Sequence, residues 1–270
     1  MPPYEVFPTA MYRIRKTLKR FKKEEPTRGK ISINNFKKLR IMPNHVTNRL
    51  EINADQETVQ KVMNFLKGKT DDDNTTCYID FNNIIPMPEE LLIDKCSSGD
   101  LGMKYLEAMQ RKPFYFLLDD DDLRAIRWIK GLAEKDRQKA LQLGASYLEN
   151  QKKYGYPTWY EWSIATWGTK WNAYQQDFEE PNILWFDTAW SGVPQLIQKL
   201  SEIFPDVEFH YAYADENLGF NTGIGTISNG EINMTIPEGG SNEAFEIMFF
   251  VKPGMDEYFE QTDEGYKWVS

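Results

Sequence analysis

The chain has 270 residues, of which 41% are hydrophobic, 14% aromatic and 27% charged, and its formal net charge is −9. This composition is typical of a globular protein with one large domain or two small ones, and no apolar run is long enough to span a bilayer. The first residues lack the pattern of a signal peptide. The cysteines, Cys77 and Cys96, fit no zinc or redox spacing. We therefore expect a reduced, cytoplasmic protein with no membrane segment, metal or cofactor.

The charge is distributed unevenly along the chain. Residues 1–41 contain twelve Lys and Arg and three Glu, a net charge of +9, whereas residues 42–270 contain 20 basic and 38 acidic residues, a net charge of −18. Residues 1–41 have too few regularly spaced apolar residues to form a core. We interpret them as a basic N-terminal extension that is disordered, not native, or a nucleic-acid-binding arm. The acidic remainder disfavours nucleic acid, because phosphate contacts require a positive surface.

Residues 42–150 are predicted to form a β-α-β unit followed by a helical region. A strand pattern at residues 45–53 leads into a helix that is capped by Asp55, and residues 77–88 are predicted to be the second strand. In the helical region, the acidic run Asp119–Asp122 fits a helix N-terminus better than a calcium loop, whose ligands alternate with glycine and other residues.

Residues 151–270 are predicted to form an antiparallel sheet with helices on one face, which is the α+β class with a ferredoxin-like sheet. Strands at 170–178 and 182–190 form a hairpin, and a helix at 194–204 packs on the sheet. Asn229–Gly230 marks a second hairpin turn, and the last segment begins as a helix. Together with the preceding β-α-β unit and helical segment, this domain can form one composite unit.

Four tryptophans lie between residues 158 and 178. Thr158 caps a short helix there, and Glu161 completes a capping box. Tryptophans on a helix that covers a sheet are most often core residues, because each one buries a large apolar area. The predicted core therefore includes Trp159, Trp162 and Trp167.

No catalytic motif is present: the sequence lacks a P-loop, a dinucleotide fingerprint, a nucleophile elbow and a zinc-protease helix. His45 and His210 are interpreted as solvated strand residues. Three glycines lie between predicted strands and favour a bend or bulge over a phosphate cradle, namely Gly219, Gly223 and Gly225. The sequence therefore favours a role without catalysis.

The candidate binding residues are two tryptophans outside the predicted core and the charged residues assigned with them. Trp171 and Trp190 lie on adjacent predicted strands and are expected to be partly exposed, as a surface that stacks on a ligand or partner requires. Two carboxylates, Glu161 and Asp187, could act as an acid–base pair if the fold brought them together. The candidate site therefore comprises Lys170, Trp171, Trp190, Glu161 and Asp187.

The chain resembles the YubB-like family of plasmid- and phage-borne proteins, which have a ferredoxin-like domain in their C-terminal part. The similarity extends from Met42 to about Gly230, and WGTKWNAY is its most specific element. Family members commonly begin at the position of Met42, which supports the interpretation of residues 1–41 as an addition. Gly192 and Val193 depart from the family pattern and should loosen the turn there. The resemblance is found in MPNHVTNRLEI, IDFNNIIPMPEEL, YGYPTWYEWSIATWGTKWNAY and FDTAWSGVPQLIQKLSEIFPDVEF.

The resemblance implies a fold and a mobile-element origin, and it implies no catalytic residue. Our first hypothesis is a non-enzymatic binding protein that modulates host or defence machinery, with a host protein as its partner. The alternatives are a small-ligand-binding or catalytic protein with a tryptophan-lined pocket, and a nucleic-acid binder that uses the basic arm. An acidic surface also suits a protein that occupies the nucleic-acid-binding surface of a basic partner.

Overall fold

The structure is a computed structural model that describes residues 44–69, 76–111, 118–263 and 265–269. The predicted basic extension, residues 1–41, and Met42, where the family resemblance begins, both lie outside these residues. The chain divides into two compact units. In the described part, the sheet unit comprises residues 44–85 and 167–269, and the helical unit comprises residues 86–166.

The elements are numbered in chain order. The strands are β1 His45–Asn53, β2 Tyr174–Glu179, β3 Ile183–Ala189, β4 Glu208–Asp215, β5 Thr222–Ser228, β6 Glu231–Thr235, β7 Phe259–Thr262 and β8 Gly265–Trp268. The α-helices are α1 Gln56–Leu66, α2 Ser97–Arg111, α3 Asp120–Gly131, α4 Glu134–Tyr154, α5 Trp159–Thr166, α6 Pro194–Ile203 and α7 Asn242–Val251. Short 3-10 helices occupy Phe81–Asn83, Glu89–Leu91 and Asp256–Tyr258.

Six strands form one antiparallel sheet in the order β2-β3-β1-β4-β5-β6, and β7 and β8 form a separate hairpin. The first strand of the described residues, β1, is therefore central in the sheet. His45 pairs with Ala189 of β3, and Val46 pairs with Asp215 of β4. This arrangement confirms the predicted α+β class.

Helices lie on both faces of this sheet. On one face, the Tyr211 hydroxyl of β4 donates to Asn48 of β1 and accepts from the N–H of Val193, which directly precedes α6. On the other face, alternate side chains of β4 pack against α7. The sequence predicted helices on one face of the sheet, and the structure adds a helix, α7, on the other face. The buried cluster beneath α7 contains Trp185, Ala212, Ala214, Ile224, Ile247, Met248 and Val251.

The predicted second strand at residues 77–88 is wrong, because this segment makes no ladder and turns into a 3-10 helix at Phe81–Asn83. Its backbone bonds in part to residues 66–68 and in part to side chains. The Ile79 N–H donates to Gln176 Oε1 at 2.8 Å, and the Phe81 N–H donates to Asn172 Oδ1 at 2.9 Å. The side chains of Ile79 and Phe81 are fully buried. The apolar pattern therefore correctly indicated a buried segment, but this segment is not a strand.

The hairpin between β2 and β3 and the helix α6 are present as predicted, although β2 begins only at Tyr174. The Asn229–Gly230 turn joins β5 to β6, with both residues at positive φ. The helix predicted to start the last segment is α7. The turn at Gly192 is tight rather than loose, because a side chain added there would meet the Tyr213 ring.

The predictions for His210 and for two of the glycines are wrong. His210 is 8% exposed, because the face of β4 that carries it is also covered. Gly223 and Gly225 lie inside β5 rather than between strands. At Gly225 an added Cβ would lie 2.1 Å from the Asn233 carbonyl oxygen of β6, so a close approach of neighbouring strands requires this glycine.

In the helical unit, the acidic run begins α3 as predicted. The Asp119 carboxylate accepts from the Asp122 N–H at 2.7 Å, and the Asp122 carboxylate accepts from the Asp119 N–H at 3.1 Å. Asp122 is fully buried and pairs with Arg111 at 2.8 Å. Trp162 is buried as predicted, whereas Trp159 is only half-buried.

Trp167, also predicted to be core, is buried in the sheet unit. Its indole N–H donates to the Ile85 carbonyl at 3.0 Å, and its ring meets the Phe81 ring edge-on. Both partners come from the N-terminal part of the chain. The chain leaves the sheet unit at Ile85 and re-enters it at Trp167, and the indole hydrogen bond joins these two positions.

Candidate functional site

Lys170 lies between two tryptophans at one end of the sheet. Its Nζ is 4.5 Å from the ring centroid of Trp171 and 5.3 Å from that of Trp190. The two indoles are 37% and 40% exposed, respectively. We call Lys170, Trp171 and Trp190 the indole–lysine surface. It combines exposed aromatic faces with a positive charge.

Neither tryptophan of this surface lies within a strand: Trp171 precedes β2, and Trp190 directly follows β3. Hydrogen bonds hold the two segments together. The Thr169 hydroxyl donates to the Ala189 carbonyl at 2.8 Å and accepts from the Ala189 N–H at 3.0 Å. The Ser191 hydroxyl donates to the Gly168 carbonyl at 2.6 Å. The surface is therefore fixed to the end of β3.

Trp190 has a left-handed backbone, with φ of 75°. This region is unfavourable for a bulky L-residue. Two contacts hold it: the Trp190 N–H donates to the Asn44 carbonyl at 2.8 Å, and its carbonyl accepts from Asn221 Nδ2 at 2.9 Å. Both asparagine side chains donate to the Asp215 carboxylate, at 3.1 and 2.8 Å. A closed polar network thus holds a half-exposed indole in a strained conformation.

Tyr174 and His45 lie beside this surface. The Tyr174 ring packs edge-on against Trp171, with ring centroids 6.2 Å apart. The Tyr174 hydroxyl is 2.7 Å from His45 Nδ1 and donates to the Thr188 carbonyl at 3.1 Å. Burial raises the pKa of Tyr174, and the negative charges of Asp187 and Glu216 raise it further. The hydroxyl therefore stays protonated and positions its neighbours.

Asp187, a predicted site residue, lies on β3 opposite Tyr174 of β2 and Thr47 of β1. Its charge also acts on Lys252, whose Nζ donates to the Asp215 carbonyl at 2.9 Å. Burial lowers the pKa of Lys252, and the charges of Asp187, Asp215 and Glu216 oppose that shift. Three carboxylates and two lysines therefore surround this end of the sheet.

Glu161, the remaining predicted site residue, belongs to the helical unit. Its carboxylate pairs with Lys95 at 2.6 Å and accepts from the Thr158 hydroxyl at 2.5 Å. Burial raises the pKa of Glu161, but the hydrogen bonds from Lys95 and Thr158 outweigh burial and lower it. A carboxylate held in its charged form is a poor general acid, so the structure gives Glu161 a structural ion pair.

Sequence reasoning missed several groups at this end of the sheet: Asn44, Tyr174, Asp215, Glu216, Asn221 and Lys252. They lie at the ends of five different elements, with Asp215 and Glu216 adjacent at the end of β4, and no sequence motif links the five positions. The strongest available signal was position, because loop residues at strand ends commonly carry function.

A separate groove of about 460 Å³ lies between α1 and the turn that joins β2 to β3. It contains none of the predicted site residues. Among the described residues, no group of three His, Cys, Asp or Glu side chains is placed to hold a metal ion. No helix in the described ranges combines the length and apolarity that a bilayer crossing requires. The groove is lined by residues such as Gln56, Gln60, Asn64, Tyr78, Phe178 and Pro181.

The fold and its sheet define an α+β protein with a ferredoxin-like domain in the C-terminal part. Residues 166–263 match the family described as the ferredoxin-like domain in Api92-like protein. Among solved structures, protein api92 from Yersinia pseudotuberculosis is similar at 15% sequence identity, with a TM-score of 0.36, and the alignment covers 73% of this chain and 99% of that chain. No curated protein matches the chain. The family match describes a fold and names no activity.

Proposed function

We propose that the protein is a binding protein without catalytic activity, and that it contacts its partner through the indole–lysine surface. The supporting observation is Trp190. A left-handed backbone at a bulky residue costs about 1–3 kcal/mol, and here that cost keeps an indole 40% exposed beside a lysine. Strain of this kind is concentrated at functional positions, and half-exposed tryptophans are frequent binding hot spots.

A binding role is favoured over a reaction because of the groups that form the surface. Indoles and an ammonium group supply stacking and charge. The nearby ionisable residues His45 and Tyr174 bond to each other, at 2.7 Å. This hydrogen bond gives both groups a structural partner within the protein. The acid–base partnership proposed for Glu161 and Asp187 loses support, because Lys95 pairs with Glu161.

The similarity to the YubB-like family supports a narrower form of the proposal. In that form, the protein is encoded by a phage or plasmid, acts in the cytoplasm and binds a host protein. The residues that carry this resemblance extend beyond the matched domain into β1. The genes that flank the coding sequence test this origin: phage or plasmid genes would support it, and a conserved metabolic operon would contradict it.

The test of the binding role uses immobilised protein and a bacterial lysate. Wild type, the double variant W171A/W190A and the control W268A are compared. Trp268 is 52% exposed and lies on β8, so it matches the loss of an exposed indole. We expect proteins recovered by wild type and W268A to be lost with the double variant. Equal recovery by all three would contradict a role for this surface.

A further inference from the structure

We propose that the indole–lysine surface accepts an arginine side chain of a basic protein partner, and that Lys170 occupies the arginine's place in the unbound chain. This inference rests on the proposed function and specifies the chemistry of the partner. It follows from the position of Lys170, from the charges around the surface and from the difference between ammonium and guanidinium groups.

The position of Lys170 shows that both indole rings can hold a cation. Its Nζ lies within 5.3 Å of both ring centroids, inside the range of about 6 Å at which the ring quadrupole attracts a cation. A partner that stacks on these rings must share or replace this contact. An approaching cation is therefore repelled by Lys170, and an approaching anion is attracted by it.

The surrounding charges favour a cationic partner. Asp187 and Glu216 both act on Tyr174, whose ring contacts Trp171. Glu216 is exposed, while Lys252 directs its Nζ to a backbone carbonyl. Residues 42–270 carry a net charge of −18, and a field of that sign attracts basic surfaces. The negative field at this end of the sheet therefore attracts a cation towards the rings.

Arginine fits this surface better than lysine does. A guanidinium group is planar and weakly hydrated, so it stacks on an indole and pairs with a carboxylate through two parallel hydrogen bonds. An ammonium group is compact and strongly hydrated. A partner arginine can therefore displace Lys170, whose side chain is flexible and can turn towards the solvent.

The test measures binding of fluorescein-labelled octa-arginine to the full chain by fluorescence anisotropy at low salt, with octa-lysine of equal charge for comparison. The substitution K170M keeps an unbranched side chain and removes the charge. We expect K170M to bind octa-arginine about three- to tenfold more tightly than wild type, because the competing cation is gone. W190A should bind it at least about tenfold more weakly, and W268A should bind as wild type does.

Weaker or unchanged binding of octa-arginine by K170M would overturn the inference, since Lys170 would then assist the partner or play no part. Equal binding by W190A and wild type would also overturn it, because the peptide would then be held by general charge alone. Equal affinity for octa-lysine would remove the preference for arginine. The proposed function would survive each of these results if the lysate proteins still required Trp171 and Trp190.

Discussion

The buried hydroxyl of Tyr211 joins two segments that are far apart in the sequence: it donates to Asn48 Oδ1 at 2.5 Å and accepts from the Val193 N–H at 2.7 Å. Tyr211→Phe leaves both buried groups without this partner. Because an unsatisfied buried polar group costs about 1–3 kcal/mol, we expect the free energy of unfolding in urea to fall by about that amount. Tyr213→Phe is the control and should change it much less, since that hydroxyl makes no hydrogen bond within the described residues. Equal losses for the two variants would contradict the role of this hydrogen-bond pair.

The backbone at residue 190 predicts an inverted order of two substitutions. Glycine is normally less stable than alanine by about 0.5–1 kcal/mol, but it populates positive φ without a steric penalty. At φ of 75°, W190G should therefore be more stable than W190A, by about 1 kcal/mol. Chemical unfolding of the purified variants measures the difference. The matched pair at Trp171, which has no positive φ, should show the normal order, with alanine more stable.

The sheet unit should fold without the helical unit. The Trp167 indole donates to the Ile85 carbonyl at 3.0 Å, so the two chain ends are close. A flexible linker of about six residues covers roughly 13 Å. We expect a chain in which this linker replaces residues 86–166 to unfold cooperatively on heating, as followed by circular dichroism. Residues 151–270 alone should not, since they lack β1 at the centre of the sheet. The reverse outcome would contradict a composite sheet unit.

The lowered pKa of Glu161 predicts that the protein loses stability in acid. Its pKa is lower in the folded chain, despite burial, because of Lys95 and Thr158. A group of this kind stabilises the fold above its unfolded pKa, about 4.3 for glutamate, and the stabilisation is lost as the pH falls through the folded pKa. The free energy of unfolding of E161Q should therefore fall less steeply between about pH 5 and pH 3 than that of wild type. Parallel curves for the two proteins would contradict this assignment.

Local elements were predictable because their signals are local. The Asn229–Gly230 turn, the acidic start of α3 and the amphipathic helix α6 each depend on a few neighbouring residues. The partial exposure of Trp171 and Trp190 was expected, although the reason given, a position on two adjacent strands, was wrong, because both residues lie just outside the strands. Such inferences need no knowledge of strand order.

The remaining features depend on contacts between distant residues. Alternation in β1 indicates a strand, but only tertiary structure shows that it lies between β3 and β4. The covering of a second sheet face, where Ala212 and Ala214 pack against α7, also depends on such contacts. The apolar pattern of residues 77–88 fits a strand equally well, and side-chain amides of Asn172 and Gln176 decide against it. The backbone of Trp190 is set by Asn44 and Asn221, from two other loops.

The central place of β1 has a consequence for synthesis of the chain. Its residues pair with β3 residues that lie about 130–145 positions later in the chain, from Glu51 with Ile183 to His45 with Ala189. At about 5–20 residues per second, a ribosome needs roughly 7–30 seconds to complete that interval. During that time the apolar residues of β1, among them Leu50 and Ile52, have no partner strand. Nascent chains are thus vulnerable to aggregation at this strand, and chaperone demand should concentrate there rather than at the β2–β3 hairpin.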